Sequence, residues 1–212
     1  MTCPHCRGAD QVFDQGTAER DLKAYRAHGP SATTRLLIAA LEAAGIADLT
    51  LLDIGGGVGA IQHELLKDGA RNAIAIDASS AYLHAAKQEA ERQGHIDRVT
   101  YHQGDFVELA PHLPQADIVT LEKVICCYPD VRALVGLSSA RAGKFYGVVF
   151  PRDTWWMRLG GLFVNLSPRL QRNAFRFFVH PTEAIEAIVR ANGLKRYYYR
   201  KTLFWQVIVY TR

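Results

Sequence analysis

Disulfide chemistry has little to work with in this chain. Its 212 residues include four cysteines, Cys3, Cys6, Cys126 and Cys127. Such close pairs are not the framework that staples a small secreted domain. Long apolar runs are missing as well. No stretch reaches about 18 apolar residues, so no membrane span is predicted. Met1 to Gly8 is polar and short, which predicts no signal peptide and a cytoplasmic location. No internal repeat or low-complexity tract is visible, which excludes solenoids and arrays. Acidic residues are scarce in the last third. Arg141 to Arg212 holds 13 Lys+Arg against 3 Asp+Glu, net +10. Met1 to Ala140 holds 12 against 18, net −6. The basic third is either a solvated face or a surface for an anionic partner such as a carboxylate, a phosphate, a membrane or nucleic acid.

What is present suits one α/β domain. Hydrophobic residues make up 49% of the chain, enough for a core without staples. Thr17 can cap a short helix that Gly29-Pro30 stops. Ser31 can cap a second, with Leu36, Leu37, Ala40, Leu41 and Ala44 on one face. Strands and helices then alternate. Leu49 to Ile54 reads as a buried strand and Ala60 to Lys67 as a helix. "NAIAID" is a second strand ending at Asp77, and Ser79 or Ser80 caps a helix to about Gln93. "DRVTYHQGD", "ADIVTLE" and "KFYGVVFP" supply the third, fourth and fifth strands. Pro129 and Asp130 open the helix after the fourth, and Pro181 to Ala191 forms another. "LKRYYYRK" and "LFWQVIVYT" form a closing hairpin around Thr202. Alternation predicts a Rossmann-like, doubly wound, mostly parallel seven-stranded sheet with an antiparallel terminal hairpin strand. Ligands of such sheets bind at the carboxyl ends of the strands.

The glycine loop lies at such an end. Gly55-Gly56-Gly57-Val58-Gly59-Ala60 fits G-x-G-x-x-A, and Asp77 follows Gly55 by 22 residues. That is the dinucleotide fingerprint, in which an acid holds ribose hydroxyls. Three further features favour a different ligand. Asp53, two residues before the loop, could bind the amino group of an amino-acid-like ligand. Gly59 extends the pattern to G-x-G-x-G. "QGDF" places Asp105 and Phe106 at the third strand tip, where a carboxylate can accept from an adenine amino group. Taken singly, Asp77 or Asp105 could also be an ordinary turn aspartate.

Together "LLDIGGGVG", "AIDAS" and "QGDF" resemble the class I S-adenosylmethionine-dependent methyltransferases over Leu49 to Pro151. "DIVTLEKVICCYPD" matches their fourth strand and following loop. The resemblance implies S-adenosyl-L-methionine as cofactor, with Asp77 on the ribose and Asp105 on the adenine amino group. The Phe106 amide would lie near the ring, and Gly55, Gly57 and Gly59 would admit the methionine part. It also implies residues 1–45 as an N-terminal lid carrying Asp21, Tyr25 and Arg26. Residues 46–212 are then the methyltransferase domain, with a cap insertion near 152–180. The ending from "VVFPRDTWW", with "VICCYPD", also resembles methyltransferases of magnesium-porphyrin carboxylates, and no residue is carried over on that basis.

Methyl transfer needs an aligned nucleophile and, for O–H or N–H acceptors, a proton sink. Glu122 and Tyr128, in the loop after the fourth strand, are the candidate base or orienter. Each has a structural alternative, Glu122 as a strand cap and Tyr128 as packing. Cys126-Cys127 reads as a reactive pair or as inert buried thiols, the commoner case. "CPHC" offers half of a zinc site with no second half, so no metal is expected and the N-terminus reads as a flexible tip or an intermolecular site. In "DTWWMRLGGLFVNLSPRL", Trp155, Trp156, Leu159, Leu162, Phe163 and Leu166 share one helical stripe flanked by Arg152, Arg158, Arg169 and Arg172. It is expected to pack on the core, the sharper reading being an acceptor wall or a membrane-facing helix. The expected partner is a small hydrophobic or acidic methyl acceptor, with a possible peripheral membrane contact and Arg152 as the anion contact. The absence of an Asn/Asp-Pro-Pro-Tyr motif after the fourth strand argues against nucleic-acid base methylation. The alternatives are a nicotinamide-dependent oxidoreductase and a non-catalytic cofactor-binding module.

Overall fold

A computed structural model describes residues 3–166 and 173–212. Its centre is a seven-stranded sheet: β1 (Thr50–Ile54), β2 (Asn72–Asp77), β3 (Val99–Gln103), β4 (Ala116–Glu122), β5 (Ala142–Pro151), β6 (Lys195–Lys201) and β7 (Trp205–Thr211). The order is β3-β2-β1-β4-β5-β7-β6. β1 to β5 run parallel, and β7 lies antiparallel between β5 and β6. The predicted doubly wound sheet and its closing hairpin are thus present. Thr202 closes the hairpin, its amide donating to the Trp205 carbonyl over 2.8 Å.

The helices are α1 (Pro4–Val12), α2 (Gln15–His28), α3 (Ala32–Ala44), α4 (Ala60–Lys67), α5 (Ser80–Gln93), α6 (Phe106–Leu109), α7 (Val131–Arg141), α8 (Trp155–Val164) and α9 (Thr182–Ala191). They cover both faces because the central strands are apolar on both. On one face, Leu37 and Leu41 of α3 and Leu65 and Leu66 of α4 meet Leu51, Ile118 and Val149. On the other, Leu134 and Val135 of α7 and Ile185 and Val189 of α9 meet Leu52, Val119, Val148 and Ile208. Each such buried side chain stabilises the fold by about 1.5–3 kcal/mol. A smaller cluster of Ala18, Leu22, Tyr25 and Ala85 holds α2 against α5.

Three expectations need correction. The N-terminus is no flexible tip but the helix α1, with Pro4 in its first turn and His5, Cys6 and Gly8 buried. A side chain at Gly8 would stand 2.6 Å from the Phe175 amide, so close packing explains that burial. Asp14, not Thr17, caps α2: its carboxylate accepts from the Thr17 amide at 2.9 Å. Finally, the stripe of α8 does not pack on the core. Met157 and Gly161 are the buried residues of that helix, while Trp155 is 76% exposed and Phe163 71%. Gly161, against Phe177, sets which side faces in. Arg169 and Arg172 lie outside the described residues. β6 forms one margin of the sheet, and most of its side chains are exposed.

Candidate cofactor and active site

The tips of β1, β2, β3 and β4 converge on a cavity of about 690 Å³, a size suited to a small-molecule ligand. Gly55, Gly56, Gly57, Asp77, Asp105, Phe106, Glu122 and Tyr128 all line it. Its other side is formed by the first three helices, through residues such as Phe13, Tyr25 and Arg35. Spacing alone could not bring these pieces together; parallel strands in this order do.

The loop after β1 is shaped by its glycines. Gly55, Gly57 and Gly59 all have positive φ, at 64°, 58° and 80°. A Cβ on Gly55 would stand 2.4 Å from Val124 Cγ2, and one on Gly56 2.3 Å from Asp53 Oδ2. Near Gly57 the neighbour is the Tyr82 ring at 3.8 Å, so the strain there comes from φ. The loop then enters α4, whose N-terminus favours negative charge.

Asp77 ends β2 beneath this loop. Its Oδ2 accepts from the Gly57 amide at 3.1 Å and its Oδ1 from the Ser79 amide at 2.8 Å. Each oxygen keeps lone-pair capacity for a ribose hydroxyl. Burial pushes the carboxyl up to about 6, against the pull of the Ser79 and Gly57 amides. Asp53 is fully buried. Thr120 donates to its Oδ1 at 2.7 Å, whereas Oδ2 has no partner among the described residues. Burial pushes this carboxyl up to about 7, with the Glu122 and Asp77 charges adding to the rise. Asp53 and Gly59 do not themselves line the cavity: the Asp53 oxygen lies against Gly56, and Gly59 packs against Gln62 and His63 of α4.

Asp105 caps α6, accepting from the Val107 amide at 2.9 Å. The Tyr128 hydroxyl lies 3.0 and 2.9 Å from its two oxygens and donates to the carboxylate. Tyr128 is therefore placed beside the adenine-side acid, and burial and the Asp105 bond both push its phenol upward. Glu122 is also committed. It accepts from Thr34 at 2.7 Å and Thr33 at 3.0 Å, and Lys123 Nζ stands 3.2 Å away. These bonds tie the β4 tip to the start of α3. The Phe106 side chain is buried in the core beside the cavity. Cys126 and Cys127 both direct their thiols to the Lys123 carbonyl, at 3.2 and 3.5 Å. The Cys127 bond and burial push the Cys126 thiol up, the condition of an unreactive thiol.

The cover is attached mainly by side chains. Tyr82 donates to Asp21 at 2.6 Å, Tyr25 to Glu64 at 2.5 Å and Arg26 to Glu89 at 2.7 Å. Ser79 donates to the Phe13 carbonyl at 2.6 Å. Sequence reasoning missed Tyr82, Phe13, Thr33 and Thr34. Tyr82 alone had a signal, an aromatic in the first turn after the ribose acid. Arg152 is placed elsewhere: its guanidinium donates to the carbonyls of Thr202 and Leu203 and does not line the cavity. Among the described residues, Arg35 and Lys123 are the arginine and lysine that do.

Residues 51–140 match a family model described as "Methyltransferase domain". A ribosomal protein L11 methyltransferase of Tolumonas auensis is 30% identical over 169 residues, covering 79% of this chain and 53% of that protein. A 3-amino-4-hydroxybenzoate 4-O-methyltransferase of Streptomyces cremeus is 32% identical over 98 residues, 46% of this chain and 26% of that protein. The chain thus spans about half the length, or less, of these curated relatives. Among solved structures, magnesium protoporphyrin IX methyltransferase from Synechocystis PCC 6803 with bound SAH superposes with a TM-score of 0.73 at 20% identity, covering 96% of this chain and 98% of that one. The same protein with bound SAM also gives 0.73, at 17% identity, covering 98% and 97%. Residues 51–140 thus match a methyltransferase domain, set on the Rossmann-like sheet that the chain shares with these solved structures.

Proposed function

We propose that this protein binds S-adenosyl-L-methionine and transfers its methyl group to a small, largely apolar acceptor. The observation that carries the reading is the meeting of the glycine loop, Asp77 and Asp105 in one cavity closed by helices. The cofactor supplies an activated methyl group; the chain's residues bind, orient and exclude water. Asp77 holds the ribose hydroxyls, and Asp105, oriented by Tyr128, takes the adenine amino group beside Phe106. Gly55 and Gly57, which line the cavity, leave room for the methionine part, and Asp53, buried against Gly56, acts on its amino group through a water. Tyr25, Val58 and Val124 give the remaining wall its apolar character, while Lys123 and Arg35 are the cations for an acidic acceptor. Glu122, saturated by two threonines and a lysine, acts as an anchor for α3 rather than as a base. No helix among the described residues is long and apolar enough to cross a membrane. The comparisons lend no support to a membrane contact.

A second reading is transfer to a protein side chain, favoured by the relatives named for ribosomal protein L11. The deciding experiment is calorimetry of the purified protein with S-adenosylmethionine, its homocysteine product and NAD. A labelled-methyl screen of small aromatic acids and of ribosomal proteins follows. Binding of the first two ligands with label on a small acid is expected. Saturable NAD binding without response to the methyl donor would overturn the reading. Label on protein alone would replace the acceptor.

A further inference from the structure

The fold brings together three metal-binding side chains from distant parts of the chain. Cys3 Sγ, Cys6 Sγ and an Asp105 carboxylate oxygen all lie within 4.8 Å of one another. Donor atoms on a tetrahedral zinc ion stand roughly 3.5–3.8 Å apart, so rotamer adjustment alone closes the set. The spacing of "CPHC" supplies two ligands and no more. The third comes from the β3 tip, about a hundred residues on, which no local pattern could reveal.

Several details fit a metal better than a plain helix start. Cys3 occupies the N-cap of α1, where Ser, Asp or Asn would cap more strongly. Its sulfur accepts from the Cys6 amide at 3.5 Å, which holds the two cysteines side by side at the start of the helix. Pro4 fixes the turn between the two sulfurs. Asp105 is already oriented by the Tyr128 hydroxyl and the Val107 amide, as a ligating carboxylate is by its hydrogen-bond partners. His5, between the two cysteines, is turned away and donates to the Cys127 carbonyl. Cys6 and Asp105 both line the cavity, so a three-ligand ion there keeps its open position on the cavity side.

We propose that Cys3, Cys6 and Asp105 form a thiolate–carboxylate site for a zinc ion that pins α1 to the β3 tip. Soft thiolates with one carboxylate select zinc over calcium or magnesium. The ion displaces the two thiol protons to solvent, and a water completes the tetrahedron. Asp105 has lone pairs enough for the ion and an adenine amino group together. The site goes beyond methyl transfer and stands whether or not that reading does.

The test uses the full chain, stripped with a chelator and titrated with Co²⁺, then Zn²⁺. Expected are one Co²⁺ per chain, a near-ultraviolet thiolate-to-cobalt absorption band, and its loss as Zn²⁺ displaces the cobalt. Cys3→Ser should weaken the band and lower Co²⁺ affinity at least about tenfold. Tyr128→Phe should lower affinity about 10- to 100-fold while keeping the band shape. Zinc should also protect Cys3 and Cys6, but not Cys127, from alkylation in the wild-type chain, a readout that needs no variant to fold. A cobalt complex without the thiolate band, or alkylation of Cys3 and Cys6 unaffected by zinc, would overturn the site. Calorimetry of Cys3→Ser with S-adenosylmethionine is run separately, so that loss of metal and loss of cofactor are told apart.

Discussion

The strand tips and the helices that cover them reach the same cavity by different physics. The tips are held by main chain. Gly55 donates to the Ile76 carbonyl at 2.6 Å, Gly57 to Asp77, and Gly104 to the Asp77 carbonyl at 3.0 Å. The cover is held mainly by side chains, through Tyr82–Asp21, Tyr25–Glu64 and Arg26–Glu89. A main-chain lattice sets position and tolerates no Cβ in the wrong place. A side-chain fastening can open and re-form as a unit. The difference separates a half fixed by its backbone from a half fastened by side chains.

Changes at the tips should therefore be severe and local. Gly57→Val places a β-branched residue at φ 58° in the cradle, and cofactor binding should fall below detection by calorimetry while circular dichroism stays native. Undiminished binding would reduce the loop to a turn. Asp77→Ala removes two charge-assisted hydrogen bonds of roughly 1.5–3 kcal/mol each, so affinity should drop at least about tenfold. With its carboxyl raised to about 6, wild-type affinity should also decline as pH falls through that value, because a protonated acid accepts more weakly. Asp77→Asn should flatten that profile.

Changes in the cover should be milder. Tyr82→Phe removes the bond to Asp21, worth about 0.5–1.5 kcal/mol, and should speed cofactor release a few-fold in stopped flow. An effect as large as that of Asp77→Ala would erase the distinction between tip and cover. The smallest effect is on stability. The Asp53 carboxyl sits at about 7 in the fold against an ordinary 3.8, so the native state holds its proton more tightly than the unfolded chain. Its contribution is present below pH 3.8 and lost as pH rises through 7. Asp53→Asn should raise the ligand-free melting temperature by a few degrees at neutral pH, and leave it nearly unchanged in acid. Its affinity for the methyl donor should fall at the same time.

The same division decides what the sequence disclosed. The succession of strands and helices, the closing hairpin and the glycine loop were legible because period and turn chemistry are local. Asp53, Asp77 and Asp105 could be singled out because each lies at or near the carboxyl end of its strand. The cover was not legible. α1 buries His5, Cys6 and Gly8, none of which makes an apolar stripe. The grip of Thr33 and Thr34 on Glu122 spans nearly ninety residues, and the pairing of Tyr128 with Asp105 joins two loops. The stripe of α8 showed its periodicity but not its direction, since facing inward or outward depends on what Phe177 leaves for Gly161. Nor could charge counting say where Arg152 would point.

The two margins of the sheet give part of that charge another meaning. β3 is one margin and only five residues long. β6 is the other, seven residues with Tyr197 and Tyr199 exposed, the kind of strand on which a second chain could polymerise edge to edge. Lys195, Arg196, Arg200 and Lys201 stand along it. A copy of the same strand brought alongside would meet like charge at both ends. Arg196 pairs with Glu186 at 3.0 Å, so Lys195, Arg200 and Lys201 are the charges that would keep such copies apart rather than draw a ligand in.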